Sequence, residues 1–223
     1  MSWPGVSPGE LRTRRGSLPL PVFVPDATRA AIRSVPTSLL PATGIEALLV
    51  STAHLATQPG TSVVSALGGV HEFMGWDGPV VSDSGGFQVF SLLSSGQGLA
   101  SVTDAGLSYR FSPKQKHRQL TPRSCVETQL RLGADVVYCL DYCTHPSAPA
   151  AEQDTSVRLT LKWAAQCRAE FDRLVEVTSS LAADEDAWMH LLDYLGTRPD
   201  LAERLSSFDP ALLDELSSVS RAR

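Results

Sequence analysis

Pro79-Val80-Val81-Ser82-Asp83-Ser84-Gly85-Gly86-Phe87-Gln88-Val89 sets a short apolar run against a carboxylate, two glycines and an aromatic ring. Val80 and Val81 are β-branched and follow Gly78-Pro79, which suits a buried strand. Gly85 and Gly86 let the backbone turn sharply or approach a ligand with no Cβ in the way. Asp83 then stands at the C-terminal end of a strand. In parallel α/β folds that end faces the ligand crevice, so a carboxylate placed there reads as chemistry.

The pattern recurs on both sides. Ala47-Leu48-Leu49-Val50-Ser51 runs into Thr52-Ala53-His54, and Asp135-Val136-Val137-Tyr138-Cys139-Leu140 runs into Asp141-Tyr142-Cys143-Thr144-His145. Three apolar strands therefore bring His54, Asp83 and Asp141 towards one mouth. Each of these residues alone also fits a plain role, since an Asp after a strand is commonly a turn former or a helix N-cap.

Between these strands the sequence alternates in type. Leu18 to Pro25 is expected as a strand hemmed by prolines, preceded by a surface strand or loose arm reaching Arg15, and Pro36 to Gly44 as a short helix with Leu39 and Leu40 facing in. Leu67 to Asp77, punctuated by glycines, is expected to be a packed loop. Leu107–Phe111 and His117–Leu120 flank Ser112-Pro113-Lys114-Gln115-Lys116 as a hairpin. Arg110, Lys114, Lys116 and Arg118 crowd there, either as a solvated turn or as contacts to phosphates. Thr121-Pro122 opens a helix carrying Val126, Leu130 and Leu132 inward. A second helix is expected from about Asp154 to Val175, with Val157, Leu161, Ala164, Ala165 and Phe171 on its buried face. Alternating β and α units predict an α/β fold with a parallel sheet or barrel.

After Val177 the composition shifts. Ser179 to Asp186 is small and acidic, and Asp184, Asp200 and Asp209 open short amphipathic helical patterns without any apolar β run. Two regions are expected, 1–177 as the αβ part and 178–223 as an α-helical tail.

Composition narrows the function classes. The chain of 223 residues has 43% hydrophobic and 19% charged residues, ordinary for a globular protein. No run approaches the roughly 20 apolar residues that span a bilayer, and Met1-Ser2-Trp3-Pro4-Gly5 has no basic and apolar leader pattern, so no membrane partner and a cytoplasmic location are expected. A net charge of −5 argues against coating nucleic acid by bulk charge but leaves room for a local basic patch. Cys125, Cys139, Cys143 and Cys167 form no CxxC pair. Cys139 is read as a buried small hydrophobe and Cys143 as a pocket-lining thiol.

Taken together, these pieces resemble the tRNA-guanine transglycosylases, the queuine tRNA-ribosyltransferases, from about Leu20 to Arg168. The likeness rests on Pro21-Val22-Phe23-Val24-Pro25, on Thr52-Ala53-His54-Leu55 ahead of Pro59-Gly60, and on Gly68-Gly69-Val70-His71 with Phe73-Met74-Gly75-Trp76-Asp77. It continues through Ser82-Asp83-Ser84-Gly85-Gly86-Phe87-Gln88-Val89, Leu120-Thr121-Pro122 with Gln129, Leu132-Gly133-Ala134-Asp135, and Leu140-Asp141-Tyr142-Cys143-Thr144.

The resemblance implies a TIM-type (β/α) barrel, here partial, that exchanges a tRNA guanine for a 7-deazaguanine such as queuine or its precursor by retaining glycosyl transfer. It implies that Asp83 is the general acid/base, that Phe87 stacks on the base, and that Asp141 with Cys143 binds the base edge, Ser84 and Gln88 completing the pocket. Its expected partners are tRNA, through Arg110, Lys114, Lys116 and Arg118, the free base, and a homodimer mate or catalytic partner subunit. Two departures stand out. The family's nucleophilic aspartate and its zinc motif, Cys-x-Cys-x-x-Cys with a later His, have no counterpart in these residues, so no cofactor is expected. Asp184, Asp186, Asp193, Asp200, Asp209 and Asp214 follow no apolar strand and are not expected to replace the nucleophile. Tyr142 stands where many bacterial members carry an acid, and Ala53 where an aromatic is usual, which leaves base specificity open. An active enzyme and a non-catalytic or inactive relative that binds tRNA or base both fit this pattern.

Overall fold

A computed structural model describes residues 9–183. The chain opens on a hairpin, β1 (Gly9–Thr13) paired antiparallel with β2 (Gly16–Leu20). The strand expected up to Pro25 therefore ends at Leu20. Four prolines between Pro19 and Pro36 remove the N–H groups a longer ladder needs, and the chain next touches a sheet only at a parallel bridge from Asp26 to Leu49. The helix expected between Pro36 and Gly44 is two 3-10 turns, Thr37–Leu39 and Pro41–Thr43, which bury Leu40 and leave Leu39 exposed.

The centre is a parallel sheet of β3 (Leu48–Val50), β4 (Val80–Ser82) and β8 (Val136–Val137), in the order β3-β4-β8. Its register pairs Leu48 with Val80, Val50 with Ser82, and Ser82 with Val137. β4, between the other two, is buried along its whole length, which is why it reads as an unbroken apolar run rather than an alternating one. Helices α1 (Thr52–Thr57), α2 (Thr61–Ala66) and α3 (Val70–Met74) connect β3 to β4. The segment expected to be a packed loop thus contains α3, because Val70, His71 and Met74 meet the core at helical spacing despite the flanking glycines. Leu48, Val50, Leu55, Val64, Val70, Trp76 and Val80 form one apolar cluster around this half.

After β4 come α4 (Gly86–Ser94) and an antiparallel sheet, β5 (Ala100–Thr103), β6 (Gly106–Tyr109) and β7 (Arg118–Leu120). The expected hairpin is β6–β7, widened by β5. α5 (Pro122–Leu132) starts at a Thr121 capping box closed by Ser124, with Pro122 at the first helical position. Val126 and Leu132 are buried as expected, and so is Gln129, which is fully buried and fully bonded. Its Oε1 accepts from Ser82 Oγ and the Tyr138 amide, both at 2.8 Å, and its Nε2 donates to Tyr138 O at 2.7 Å and Cys125 O at 3.1 Å. One side chain so ties β4, α5 and the segment after β8 together.

α6 (Ala150–Ala183) continues through the stretch expected to end it near Val175. Its buried stripe is Leu159, Trp163 and Cys167, packed with α5 and the β5–β6 turn, where Trp163 Nε1 donates to Asp104 O at 3.1 Å and Lys162 Nζ reaches Asp104 Oδ2 at 2.8 Å. Val157 and Leu161, expected inside, are 59% and 67% exposed. Two residues correspond to about 200° around a helix, so the two apolar stripes lie on opposite sides and only docking selects one. The architecture is mixed α/β. The three parallel strands among the described residues do not close a barrel, which needs about eight to meet edge to edge. The rest of the helical tail expected over 178–223, with its carboxylates from Asp184 onward, lies outside the described residues. No helix among the described residues is long and apolar enough to cross a membrane.

Candidate functional site

Asp83 continues the β4 ladder by one bond, its amide donating to Val50 O at 3.0 Å, and then presents its carboxylate at the sheet's C-terminal end. Oδ1 accepts from the Thr52 amide at 2.8 Å and from Thr52 Oγ1 at 2.9 Å, and Oδ2 accepts from Gln88 Nε2 at 2.9 Å. Three donors fix the orientation of this carboxylate. Thr52 carries no signal of its own in the sequence. The register that pairs Val50 with Ser82 puts the first residue of α1 beside Asp83, and that relation is visible only once the strands are aligned.

Asp141 reaches the same end from the extended segment after β8. Ser84 Oγ donates to Asp141 Oδ1 at 2.5 Å, Cys143 Sγ donates to Oδ2 at 2.9 Å, and the Gly86 amide donates to Ser84 Oγ at 3.0 Å. Ser84 thus links the residue after one carboxylate to the other carboxylate. Gly85 adopts a left-handed conformation, φ 81°, to start α4. A Cβ on Gly86 would stand 2.6 Å from both Asp141 O and Asp141 Oδ1, so the absence of a side chain is what allows α4 and the Asp141 segment to touch.

Burial pushes the Cys143 thiol up to about 12, with the hydrogen bond to and charge of Asp141 adding to the effect. The thiol therefore stays protonated at neutral pH and acts as a donor to Asp141 rather than as a nucleophile. At pH 8 its alkylation by iodoacetamide is expected to run about a thousandfold slower than that of an ordinary cysteine, judged by thiolate fraction. Peptide mapping by mass spectrometry reads this directly. Alkylation at the ordinary rate would show that Asp141 does not hold the proton.

Phe87, at the start of α4, is 64% exposed with its ring tilted against Phe90 at 6.1 Å. The His54 ring stacks on Phe111 at 5.2 Å, near enough to Asp83 to feel its charge. Burial lowers its pKa, the Arg29 charge lowers it further, and Asp83 opposes both, so the imidazole is neutral at pH 7. The four basic residues expected to meet tRNA lie in or beside the β6–β7 hairpin. Lys114 and Lys116 are exposed in the β6–β7 turn, Arg110 Nη1 bonds back to Pro113 O at 3.1 Å, and Arg118 lines a cavity beside Thr52. Cys139, expected to be buried, is exposed, because β8 ends at Val137 and the chain leaves the sheet before it. Tyr142 turns its hydroxyl towards Glu152 at 3.4 Å, and its amide donates to Thr160 Oγ1.

Among the described residues no three His, Cys, Asp or Glu side chains are grouped to hold a metal ion, so residues 9–183 do not supply a zinc ligand set. The arrangement suits an uncharged planar heterocycle. Two carboxylates can accept from its N–H groups and an exposed ring can cover its face.

Residues 8–201 match the family model described as queuine tRNA-ribosyltransferase. A putative queuine tRNA-ribosyltransferase of Archaeoglobus fulgidus is 35% identical over 193 residues, covering 74% of this chain and 48% of the relative. The queuine tRNA-ribosyltransferase of Koribacter versatilis is 37% identical over 164 residues, 74% of this chain and 42% of its own length. That of Synechococcus sp. (strain CC9311) is 41% identical over 165 residues, with 73% and 43% covered. The chain spans less than half the length of these curated relatives.

Proposed function

From the premise that this chain belongs to the queuine tRNA-ribosyltransferase family, we propose that its site binds guanine or a 7-deazaguanine and serves the exchange of that base in tRNA. The observation that carries the reading is the convergence of Asp83 and Asp141 through Ser84. The Watson–Crick edge of guanine offers adjacent N–H donors, the complement of a carboxylate whose remaining lone pairs point outward. Asp141, steadied by Ser84 and Cys143, takes that edge, and Phe87 stacks on the ring.

Asp83 has the proton-handling role. In a retaining transfer one group must protonate the departing base and accept a proton from the incoming one, while a second carboxylate attacks the anomeric carbon. Asp83 accepts from Thr52 and Gln88 on fixed geometry, so its carboxylate points one way without reorganising, and Gln88 positions it rather than contacting the base. Lys114 and Lys116 supply the exposed positive charge for the tRNA backbone, with Arg118.

A second reading is favoured by a specific observation: the parallel sheet among the described residues delivers two carboxylates to this end, and both are assigned above. The nucleophile then comes from outside residues 9–183 or from a partner chain, or the protein binds base and tRNA without turnover.

Incorporation of isotopically labelled guanine into tRNA, measured beside equilibrium binding of free guanine, tests both. Asp83→Ala is expected to cut exchange by at least about a hundredfold, the usual scale for losing a general acid/base. Exchange by the parent chain that survives this substitution would sink the role of Asp83. Guanine binding with no exchange by folded protein selects the binding reading.

A further inference from the structure

Beside Thr52, a cavity of about 160 Å³ opens between α1, α2, the β6–β7 hairpin and the first half of α5. Its floor is made of small apolar residues, Ala53 and Ala56, and its walls hold donors. Arg118 brings a full positive charge and, among the described residues, has no carboxylate partner. Thr61 and Thr128 line the same space. Tyr109 adds a phenol that burial keeps neutral; the Arg118 charge and a hydrogen bond with Thr57 oppose this, and the nearby Asp83 charge adds to it. No Asp or Glu lines the cavity, in a chain whose net charge is −5. The first turn of α5 contributes the positive end of an eleven-residue helix to one wall.

One guanidinium beside uncharged hydroxyl-bearing residues, with no acidic residue in the lining itself, matches an oxyanion with several acceptor oxygens. The volume is comparable to that of a cavity of about 150 Å³ that holds a benzene ring, so a phosphate fits together with part of the sugar it esterifies. Thr52 forms part of the cavity wall and also holds Asp83, so an occupant would sit one residue behind the base site.

We propose that this cavity binds a phosphate ester. On the functional reading above, on which only this last step rests, its source is a tRNA backbone phosphate next to the nucleotide whose base is exchanged. A free nucleoside monophosphate carries the same group and is the other source.

The test uses the full chain with Arg118→Gln and Ala56→Leu, the latter filling the cavity without altering charge. Arg118 is exposed, so its substitution leaves the fold intact even if Ala56→Leu does not. Binding of guanosine 5′-monophosphate is compared with that of guanosine by calorimetry, and an anticodon stem-loop RNA is titrated over a range of salt. The monophosphate is expected to bind at least about tenfold more tightly than guanosine, an advantage both variants lose. RNA binding by Arg118→Gln is expected to weaken, with the slope of log K against log salt shallower by about 0.7 to 0.9, the effect of one phosphate contact.

Equal binding of guanosine and its monophosphate by the parent chain, or an advantage that survives both substitutions, overturns the site. Loss of the monophosphate advantage with unchanged RNA binding keeps the site and overturns its tRNA assignment. Failure of the functional reading is read separately, as absent guanine binding that Asp83→Ala cannot change.

Discussion

Asp135→Ala is expected to lower the stability of the folded chain by about 3–5 kcal/mol, the cost of breaking a buried hydrogen-bonded pair and stranding its partners. Asp135 sits just before β8 and stands in for a strand residue. Its amide donates to Val80 O at 2.9 Å, and its Oδ2 accepts from the Val80 amide at 2.8 Å and from His71 Nε2 at 2.9 Å. The side chains of His71 and Asp135 are 4% and 5% exposed, so no water replaces the lost acceptor. α3 and β4 each lose a bond to this segment at once.

The same pair carries a pH dependence of definite sign. Burial alone would raise the Asp135 pKa, but the hydrogen bonds from His71 and Val80 overcome it and hold the carboxyl below its ordinary 3.8. A group whose folded pKa is depressed stabilises the fold above its unfolded pKa, and that stabilisation disappears as pH falls through the folded value. Stability is therefore expected to be flat in this respect near neutrality and to decline below about pH 4. Urea melts of the parent chain and Asp135→Asn between pH 2.5 and 7 check this. A variant as acid-sensitive as the parent would remove Asp135 from the account.

Gly86→Ala is expected to weaken guanine binding by at least about a hundredfold, because it moves a carboxylate rather than deleting one. The new Cβ would lie 2.6 Å from Asp141 O and Oδ1. One of these atoms is backbone and cannot rotate away, so the Asp141 segment must retreat from α4, stretching the bonds from Ser84 and Cys143. Overpacking of this kind costs about 1–3 kcal/mol of stability. Gly96→Ala is the control: Gly96 is left-handed, φ 65°, which Gly86 is not, and nothing lies within 4 Å of its added Cβ. That variant should lose about 1 kcal/mol and keep its affinity for guanine. Calorimetric titration with guanine and a thermal melt of each variant separate the cases, and unchanged affinity in Gly86→Ala would show that Asp141 is not pinned against α4.

The β4 strand, the turn after it and the capped α5 were legible because each is dictated by local chemistry. Val80 and Val81 are β-branched, Gly85 takes a backbone angle that few side chains tolerate, and Thr121-Pro122 satisfies helix N-terminal donors from within the same turn. α3 was not legible, since its glycines signal a loop and its helical spacing acquires meaning only against the core. The buried face of α6 was not legible either. Leu159-Trp163-Cys167 and Val157-Leu161 are both apolar at helical spacing, and the partner surface of α5 and the Asp104 turn decides between them.

For the site itself, the sequence by itself determined which groups exist and which strand ends they follow: Asp83, Asp141 and the glycine pair are set by short-range order. Only the tertiary structure decided what each group does. Thr52 and Ser84 became donors that orient the two carboxylates from distant parts of the chain, Arg110 was drawn back to its own turn, and Arg118 came to line a cavity. The physical reason is that hydrogen bonds between residues some 30 to 60 positions apart depend on strand register and helix docking. Neither is written in any local stretch of the chain.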